Sequence, residues 1–184
     1  MVNLPQTYLL GLCFLLVIIS ILVGRQLYKV RKDEMKLLKL EKEDSNTQED
    51  SAKMYELASV QLKKRLYPQA TSTLKQALKK LDGEPEEAKA LIENALGFAL
   101  AAQNDFKSAV IHYKKALTAK ADYPVALNNL GFAYQRLLKE DEAYKNYQEV
   151  LKLDPNNKTA ISQIKRLERI VGKDKDQLLN KKGF

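Results

Sequence analysis

The chain has 184 residues, one cysteine, one histidine and a formal net charge of +8 at pH 7. A single cysteine excludes an intramolecular disulfide framework, and with one histidine no Cys/His cluster can ligate zinc. The positive excess lies outside residues 44–157, where 16 basic and 16 acidic residues balance, so nucleic acid is not expected to bind there.

The first predicted element is an apolar helix at residues 4–23, a run without a charged residue. A helix of this length spans about 30 Å, the thickness of a bilayer's hydrocarbon core. A cleaved signal peptide would have a basic segment before the run and a small-x-small site after it, and neither is present. A buried core helix would be shorter and more polar. Residues 1–24 are therefore predicted to form an uncleaved transmembrane anchor in contact with membrane lipid.

Positive charges directly after the run set its expected orientation. Arg25, Lys29, Arg31 and Lys32 follow the run, and no basic residue precedes it. The positive-inside rule then leaves the C-terminal part on the side of synthesis, the cytoplasm of a bacterium or the stroma of a plastid. Residues 25–50 are predicted to be a basic juxtamembrane stalk and linker. The stalk can continue the anchor helix, but its apolar spacing is too irregular for a coiled coil.

Further along, a block of sequence returns after 34 residues. NALGFA at residues 94–99 is followed by NNLGFA at residues 128–133. A period of 34 that carries Leu-Gly, then Ala, then an aromatic residue is typical of the tetratricopeptide repeat, a pair of antiparallel helices A and B. Such pairs stack into solenoids that hold other proteins.

In each of these repeats, a glycine on helix A predicts a close crossing of helix B. Glycine in a helix costs about 0.5–1 kcal/mol relative to alanine, which makes sense if the missing Cβ allows the close approach. A small alanine on helix B would meet the glycine, and a tyrosine four residues on would fill the wider space beyond. The predicted packing residues are Leu96, Gly97, Ala109, Tyr113, Leu130, Gly131, Ala143 and Tyr147.

A weaker copy comes first, with alanine in place of glycine and leucine in place of tyrosine. Its packing residues are Leu57, Ala58, Ala70, Leu74 and Ala77. Extra residues before the second repeat are predicted in the turn near Gly83 and Pro85. The predicted repeats are residues 51–84, 85–123 and 124–157, and Pro155 marks the turn that ends the last one.

Caps and ends complete the predicted domain. Asn104 or Asp105 is expected to cap helix B of the second repeat, and Glu140 or Asp141 that of the third. DSNTQEDS at residues 44–51 is predicted to be a flexible link and a cap. Residues 158–171 are predicted to form a capping helix that covers the last repeat. Residues 172–184 are predicted to be a basic tail, either solvated or in contact with the membrane or an acidic partner.

The inner faces of the A helices are expected to form a groove for a protein partner. An asparagine can hydrogen-bond an extended backbone through donor and acceptor, and a phenylalanine offers an apolar shelf beside it. Alternatively, Phe98 and Phe132 pack between neighbouring A helices. Tyr55 occupies the first lysine position of the clamp that chaperone-binding repeats use for a terminal carboxylate, so this clamp is not expected. The predicted groove residues are Tyr55, Ser59, Lys63, Asn94, Phe98, Ala101, Asn128, Phe132, Gln135 and Arg136.

Catalysis has little support in this sequence. His112 is expected on the outer face of a B helix, in contact with solvent. No Gly-rich phosphate loop is present, and one histidine provides no Ser/His/Asp set. No enzymatic activity, cofactor, metal or small-molecule substrate is predicted.

The predicted fold is all-α: an N-terminal transmembrane helix, a three-repeat tetratricopeptide α-solenoid and a C-terminal capping helix. This layout resembles the membrane-anchored photosystem I assembly proteins of cyanobacteria and algal plastids, most clearly in the anchor and in the NALGFA and NNLGFA helices. The resemblance implies a single-pass thylakoid protein whose repeats face the stroma or cytoplasm. Such a protein binds photosystem I subunits or assembly factors and assists photosystem I assembly or stability. The alternative is an anchored receptor or adaptor for another complex, such as an import receptor or a bacterial envelope assembly factor.

Overall fold

The computed structural model describes most of the chain, namely residues 4–44, 50–81 and 83–181. Side chains are described within these ranges except at residues 4–7, 33, 40–44 and 171–181. The described residues form eight α-helices and no β-strand, which confirms the predicted all-α class. The chain divides into two compact units, residues 1–48 and 49–184. Most of the predicted flexible link, residues 45–49, lies outside the described residues, as do residues 182–184 at the end of the tail.

The first unit contains one helix, α1 (Leu4–Asp44). The apolar run and the charged stalk belong to the same helix, because no proline interrupts the sequence after Pro5 and Gly24 alone is too weak a breaker. At about 1.5 Å per residue, α1 is roughly 60 Å long. Within the described residues, Tyr8–Lys39 is long and apolar enough to cross a membrane, and its most apolar stretch is entirely unburied.

The second unit has three helix pairs and a final helix. Each helix packs against the next one along the chain, and the A helices also contact one another from pair to pair. The pairs are α2 (Ser51–Lys63) with α3 (Tyr67–Lys79), α4 (Glu86–Ala102) with α5 (Phe106–Ala119), and α6 (Pro124–Arg136) with α7 (Glu140–Leu153). The last helix, α8 (Lys158–Lys181), follows the turn at Pro155 and continues beyond the predicted end at residue 171.

Two tyrosines form the centre of the core. Tyr113 and Tyr147 are both 1% exposed, and burial raises the pKa of both hydroxyls. A Cβ atom added to Gly97 would lie 2.7 Å from two ring carbons of Tyr113, and one added to Gly131 would lie 2.8 Å from the ring of Tyr147. The alanine of helix B was predicted to contact each glycine, whereas in the structure the nearest group to each glycine is the tyrosine ring. In the second repeat, only the carbonyl oxygen of Ala109 also comes near, at 3.2 Å.

The first repeat meets the same packing requirement with different residues. Ala58 and Leu74 replace the glycine and the tyrosine, and both are fully buried. Leucine has fewer atoms than tyrosine, so the space that a ring fills in the later repeats is available here for a Cβ atom. Each repeat therefore has a size-matched pair, either Gly with Tyr or Ala with Leu.

The helix ends follow the predicted caps in part. Asp50 accepts a hydrogen bond from the backbone N–H of Ala52, and Asp105 accepts one from that of Ser108. The predicted cap of α7 is wrong: Lys139 holds that position without a side-chain hydrogen bond, and the acidic residues at 140–142 lie in the first turn. There they favour the helix through its dipole.

Candidate protein-binding groove

The ten predicted groove residues lie on the A helices α2, α4 and α6. Phe98 is 45% exposed and Phe132 is 49% exposed. Lys63 and Arg136, at the ends of their helices, are exposed as well. The remaining six are partly buried: Tyr55, Ser59, Asn94, Ala101, Asn128 and Gln135. Side chains available to a partner are thus concentrated on α4 and α6.

Two further apolar residues on these helices were not predicted. Leu91 on α4 is 41% exposed, and Val125 on α6 is 54% exposed. Each lies two helical turns before a phenylalanine, on the same face. The signal that could have identified them is the repeat itself, because Val125 follows Leu91 by the same 34 residues that separate Phe98 and Phe132.

These side chains belong to a surface without charge, which we call the neutral track. Its residues are at i, i+3, i+4 and i+7 of each helix and share one face. They are Leu91, Asn94, Ala95 and Phe98 on α4, and Val125, Asn128, Asn129 and Phe132 on α6. None of the eight positions holds a charged residue. Ala95 is 7% exposed, and the other seven are exposed or partly buried.

Hydrogen bonds link the amides of the track. Asn129 donates its side-chain N–H to Oδ1 of Asn94 at 3.0 Å, and Asn94 donates to the hydroxyl of Tyr123 at 3.3 Å. One repeat later, Asn128 donates to Oδ1 of Asn157 at 3.2 Å. Burial raises the pKa of Tyr123, and neighbouring Tyr55 adds to this effect, while the hydrogen bond from Asn94 opposes it. The network holds the asparagine side chains in fixed orientations.

One atom of this network lacks a partner. Among the described residues, Oδ1 of Asn128 is a buried side-chain oxygen without a hydrogen-bond donor. A buried acceptor left unsatisfied costs about 1–3 kcal/mol. A rotation of the amide, or a donor brought by another molecule, would remove this cost.

The track is bordered by an aromatic and cationic edge. The ring of Phe132 meets that of Phe106 edge-on, with centroids 6.2 Å apart and planes at 72°. The guanidinium of Arg136 lies 5.1 Å from the centroid of Phe106. Contact with Phe106 orients the Phe132 ring while about half of its surface stays in water, so packing and exposure coexist at this residue.

His112 does not have the predicted environment. Its side chain is only 17% exposed, and Nδ1 lies 2.6 Å from Oε2 of Glu93, whose side chain is 6% exposed. The residue therefore joins α5 to α4 instead of facing solvent. Within the described ranges, no group of three or more His, Cys, Asp or Glu residues could hold a metal ion.

The sequence matches known repeat families in the same region. Residues 124–157 match the tetratricopeptide repeat family, and residues 97–137 match a TPR repeat family.

Three relatives share most of the chain. The ycf37 protein of Guillardia theta is 29% identical over 164 residues, which cover 89% of this chain and 92% of the relative. The ycf37 protein of Cyanophora paradoxa is 32% identical over 156 residues, or 85% of this chain and 90% of the relative. The chloroplastic tetratricopeptide repeat domain-containing protein PYG7 of Arabidopsis thaliana is 30% identical over 158 residues, 86% of this chain. This match covers 52% of PYG7, so the chain spans about half of that protein.

Solved structures confirm the solenoid. The second TPR domain of human RPAP3, in complex with an HSP70 peptide, superposes with a TM-score of 0.57 at 23% identity, over 62% of this chain and 92% of that chain. The Cut9–Hcn1 hetero-tetramer of the APC/C gives a TM-score of 0.70 at 20% identity, over 78% of this chain and 28% of that chain. At these identities the likeness concerns the fold alone.

Proposed function

The chain belongs to the ycf37 family of tetratricopeptide repeat proteins, and we propose that it is a membrane-tethered scaffold that assists the assembly or stabilisation of photosystem I. The repeats would face the stroma of a plastid or the cytoplasm of a cyanobacterium at the thylakoid membrane. The chloroplastic Arabidopsis relative and the apolar helix α1 support this location. The resemblance of the anchor and repeat layout to photosystem I assembly proteins supports the assignment of the complex.

The observation that carries the binding role is the neutral track. Four of its apolar side chains are between 41% and 54% exposed, although a folded repeat domain could place polar residues there at little cost. Exposed apolar side chains that recur in register are typical of an interaction site. A partner segment lying across α4 and α6 would cover Phe98 and Phe132.

The asparagines of the track would fix the backbone of such a segment. One N–H of the Asn94 amide is used within the network, which leaves a second N–H available as a donor. Asn128 has an oxygen without a donor. A partner backbone N–H that reached this oxygen after a small rotation of the amide would satisfy it. Apolar contacts would thus provide most of the affinity, and the amides would set the register.

A partner with an acidic C-terminus is disfavoured. The position where chaperone-binding repeats have their first clamp lysine holds Tyr55, and Val125 and Asn129 on α6 add no positive charge. A terminal carboxylate would therefore find no cation at these three positions and would lose hydration there without compensation. We expect an internal segment with few charges instead.

The tether would be α1. Its apolar residues would cross the bilayer, and Arg25, Lys29, Arg31 and Lys32 would remain on the side of synthesis. The scaffold would then stay beside the membrane in which its client complex is built. This orientation also favours a client surface in the stroma or cytoplasm.

Gene deletion in a photosynthetic host tests the proposal. Loss of the protein should lower the ratio of photosystem I to photosystem II, and re-expression of the wild-type chain should restore it. Phe98→Ala combined with Phe132→Ala should fail to restore the ratio. Ile111→Ala, which removes a 55% exposed apolar residue on α5, is the matched control and should restore it. An unchanged ratio in the deletion strain, under normal and high light, would contradict the assembly role.

Co-purification separates this role from that of a general adaptor. Detergent-solubilised membranes should yield photosystem I subunits or assembly factors with the wild-type protein and less of them with the double phenylalanine variant. The double phenylalanine variant should lose about 3–5 kcal/mol of unfolding free energy, because about half of each of the two rings is buried. The far-UV circular dichroism of each variant should therefore be checked, and it should match that of the wild type. Recovery of a different membrane complex would favour the adaptor.

A further inference from the structure

The described part of α8 has cations on one face and core residues on the other. Ala160 and Leu167 are buried. Four basic side chains are exposed: Lys158, Lys165, Arg166 and Arg169. At about 100° per residue, these four lie within an arc of about 100°, opposite the buried pair. We call this face the α8 cation stripe.

None of the four stripe cations forms an ion pair with an acidic side chain among the described residues. Acidic side chains of the repeats have other partners: Glu86 pairs with Lys89, Glu142 with Lys139 and Glu149 with Lys152, while Glu93 contacts His112. The one acidic residue in the described part of α8, Glu168, lies away from the stripe and accepts a hydrogen bond from the Tyr144 hydroxyl at 3.4 Å. Glu168 follows Lys165 by three residues without an ion pair to it, and Arg169 donates a hydrogen bond from Nε to the backbone oxygen of Lys165 at 3.2 Å, so the positive charge of the stripe remains largely uncompensated.

This arrangement works against the helix itself. Lys165 and Arg169 are like charges at i and i+4, and Arg166 and Arg169 are like charges at i and i+3, spacings at which such pairs are destabilising. Summed over residues 44–157, acidic and basic residues are equal in number, although α3 and α5 each hold lysines and no acidic residue. Repulsion concentrated on one exposed face would be relieved by an anionic surface.

We propose that the α8 cation stripe binds the surface of an anionic lipid bilayer, so that the repeat domain contacts the membrane at its C-terminal end. Ammonium and guanidinium groups donate hydrogen bonds to headgroup phosphates and are attracted by the surface potential. A bilayer is the favoured partner because the same chain has a candidate membrane span, followed by further basic residues of the same sign. A tether of this kind raises the effective concentration of the domain at the surface, so weak attraction is sufficient. This docking requires the membrane and not photosystem I.

Lipid-borne quenching in the full-length protein tests the docking. Cys13→Ser leaves no native thiol, and Ser162→Cys then places a fluorophore on the stripe. The labelled protein is reconstituted into phosphatidylcholine vesicles with or without about one-third phosphatidylglycerol and with a lipid-bound quencher. Quenching should be strong only with the anionic lipid, and it should fall in 1 M salt, where the Debye length is about 3 Å. A label at Ala102→Cys, at the exposed end of α4 and near Asp105, should be quenched less than the label at residue 162 under the same conditions.

Charge variants separate electrostatics from local structure. Each Lys or Arg near an anionic surface strengthens association roughly five-fold. Replacing all four cations by Gln should therefore weaken docking by up to several hundred-fold and abolish the quenching. Exchanging Lys and Arg at the four positions should preserve it.

Several results would overturn the proposal. Equal quenching in neutral and anionic vesicles, or quenching that survives the four Gln substitutions in a variant with unchanged helicity, would exclude the stripe as a lipid contact. A label that remains distant from lipid but is protected by added polyglutamate would assign the stripe to an acidic protein instead.

Discussion

Gly97→Ala is expected to destabilise the repeat domain, although alanine is the better helix former. The added Cβ would lie 2.7 Å from Cδ1 and Cε1 of Tyr113 and 3.2 Å from the carbonyl oxygen of Ala109. The tyrosine is 1% exposed, so its ring has no open space to enter. Overpacking of this kind costs about 1–3 kcal/mol, and helix propensity returns about 1 kcal/mol. Because the nearest ring carbons are closer than real Cβ contacts allow, we expect a cost toward the upper end of that range and a net fall in the free energy of unfolding of up to about 2 kcal/mol.

The first repeat indicates how this loss can be reversed. It uses Ala58 with Leu74, both fully buried, where the second repeat uses Gly97 with Tyr113. Tyr113→Leu alone should leave a cavity and cost about 2 kcal/mol. In the double variant, the new methyl group enters part of this cavity, so the total loss should be smaller than the sum. The coupling energy between the two sites should be about 1–2 kcal/mol in favour of the pair.

Urea unfolding of residues 49–184, followed by far-UV circular dichroism, measures these energies. Gly131→Ala is the matched control, because the three atoms nearest to its added Cβ all belong to the ring of Tyr147, the closest at 2.8 Å. It should cost less than Gly97→Ala. A Gly97→Ala variant as stable as the wild type, or strictly additive losses in the double variant, would refute the reasoning that ring packing requires this glycine.

Three further predictions concern the two units. The full-length chain should resist alkaline carbonate extraction, whereas residues 49–184 should be soluble and helical; full-length protein in the soluble fraction would contradict the anchor. Asp105→Ala should lower the free energy of unfolding by about 1 kcal/mol at pH 7. Hydrogen bonds from Ser108 lower the pKa of Asp105 below 3.8, so the stabilisation is present above that pH and is lost as the pH falls through the lowered pKa. Urea titrations at pH 7 and pH 2.5 should show the difference shrinking, and a constant difference would exclude the charged cap. Leu138→Gly should stabilise the domain by about 0.5–1 kcal/mol in the same assay, because Leu138 is 86% exposed and has a φ of 59°, a backbone conformation that costs a non-glycine residue about 1–2 kcal/mol. A loss of stability would show that the leucine makes a contact worth more than its strain.

The sequence was sufficient for the fold because the repeat pattern is local. Gly97 and Tyr113 belong to one helix pair, and their 34-residue return at Gly131 and Tyr147 requires the same pair geometry. The candidate membrane helix at the N-terminus can likewise be identified from its apolar run alone, without knowledge of any tertiary contact. The sequence did not predict that the tyrosine, and not the alanine, contacts the glycine. The spacing predicts that helices A and B cross closely at the glycine, but it does not determine which side chain of helix B lies at the crossing.

Contacts between repeats were harder to predict. Asn129 reaches Asn94 across the gap between two A helices, and His112 on α5 meets Glu93 on α4. Both contacts depend on the rotation of one helix relative to another, which sequence spacing does not determine. His112 was expected in solvent because its position in the repeat template is on the outer face of a B helix. Leu91 and Val125 are different, since the 34-residue spacing was sufficient to find them.

The size of the neutral track explains why such a scaffold would need a tether. About half of each of its four large apolar side chains is in water, so complete coverage would bury roughly 300–400 Å² of apolar surface on this side. This is about half or less of the roughly 800 Å² per partner of a standard stable interface, so a free partner is expected to bind only weakly. If α1 holds the domain at the membrane of its client, the effective concentration of the groove near the client approaches the millimolar range. A weakly binding client segment would then occupy the groove for much of the time. Modest affinity also permits the scaffold to dissociate once assembly is complete, because the contacts within the finished complex are then stronger than the contacts of the client with the groove.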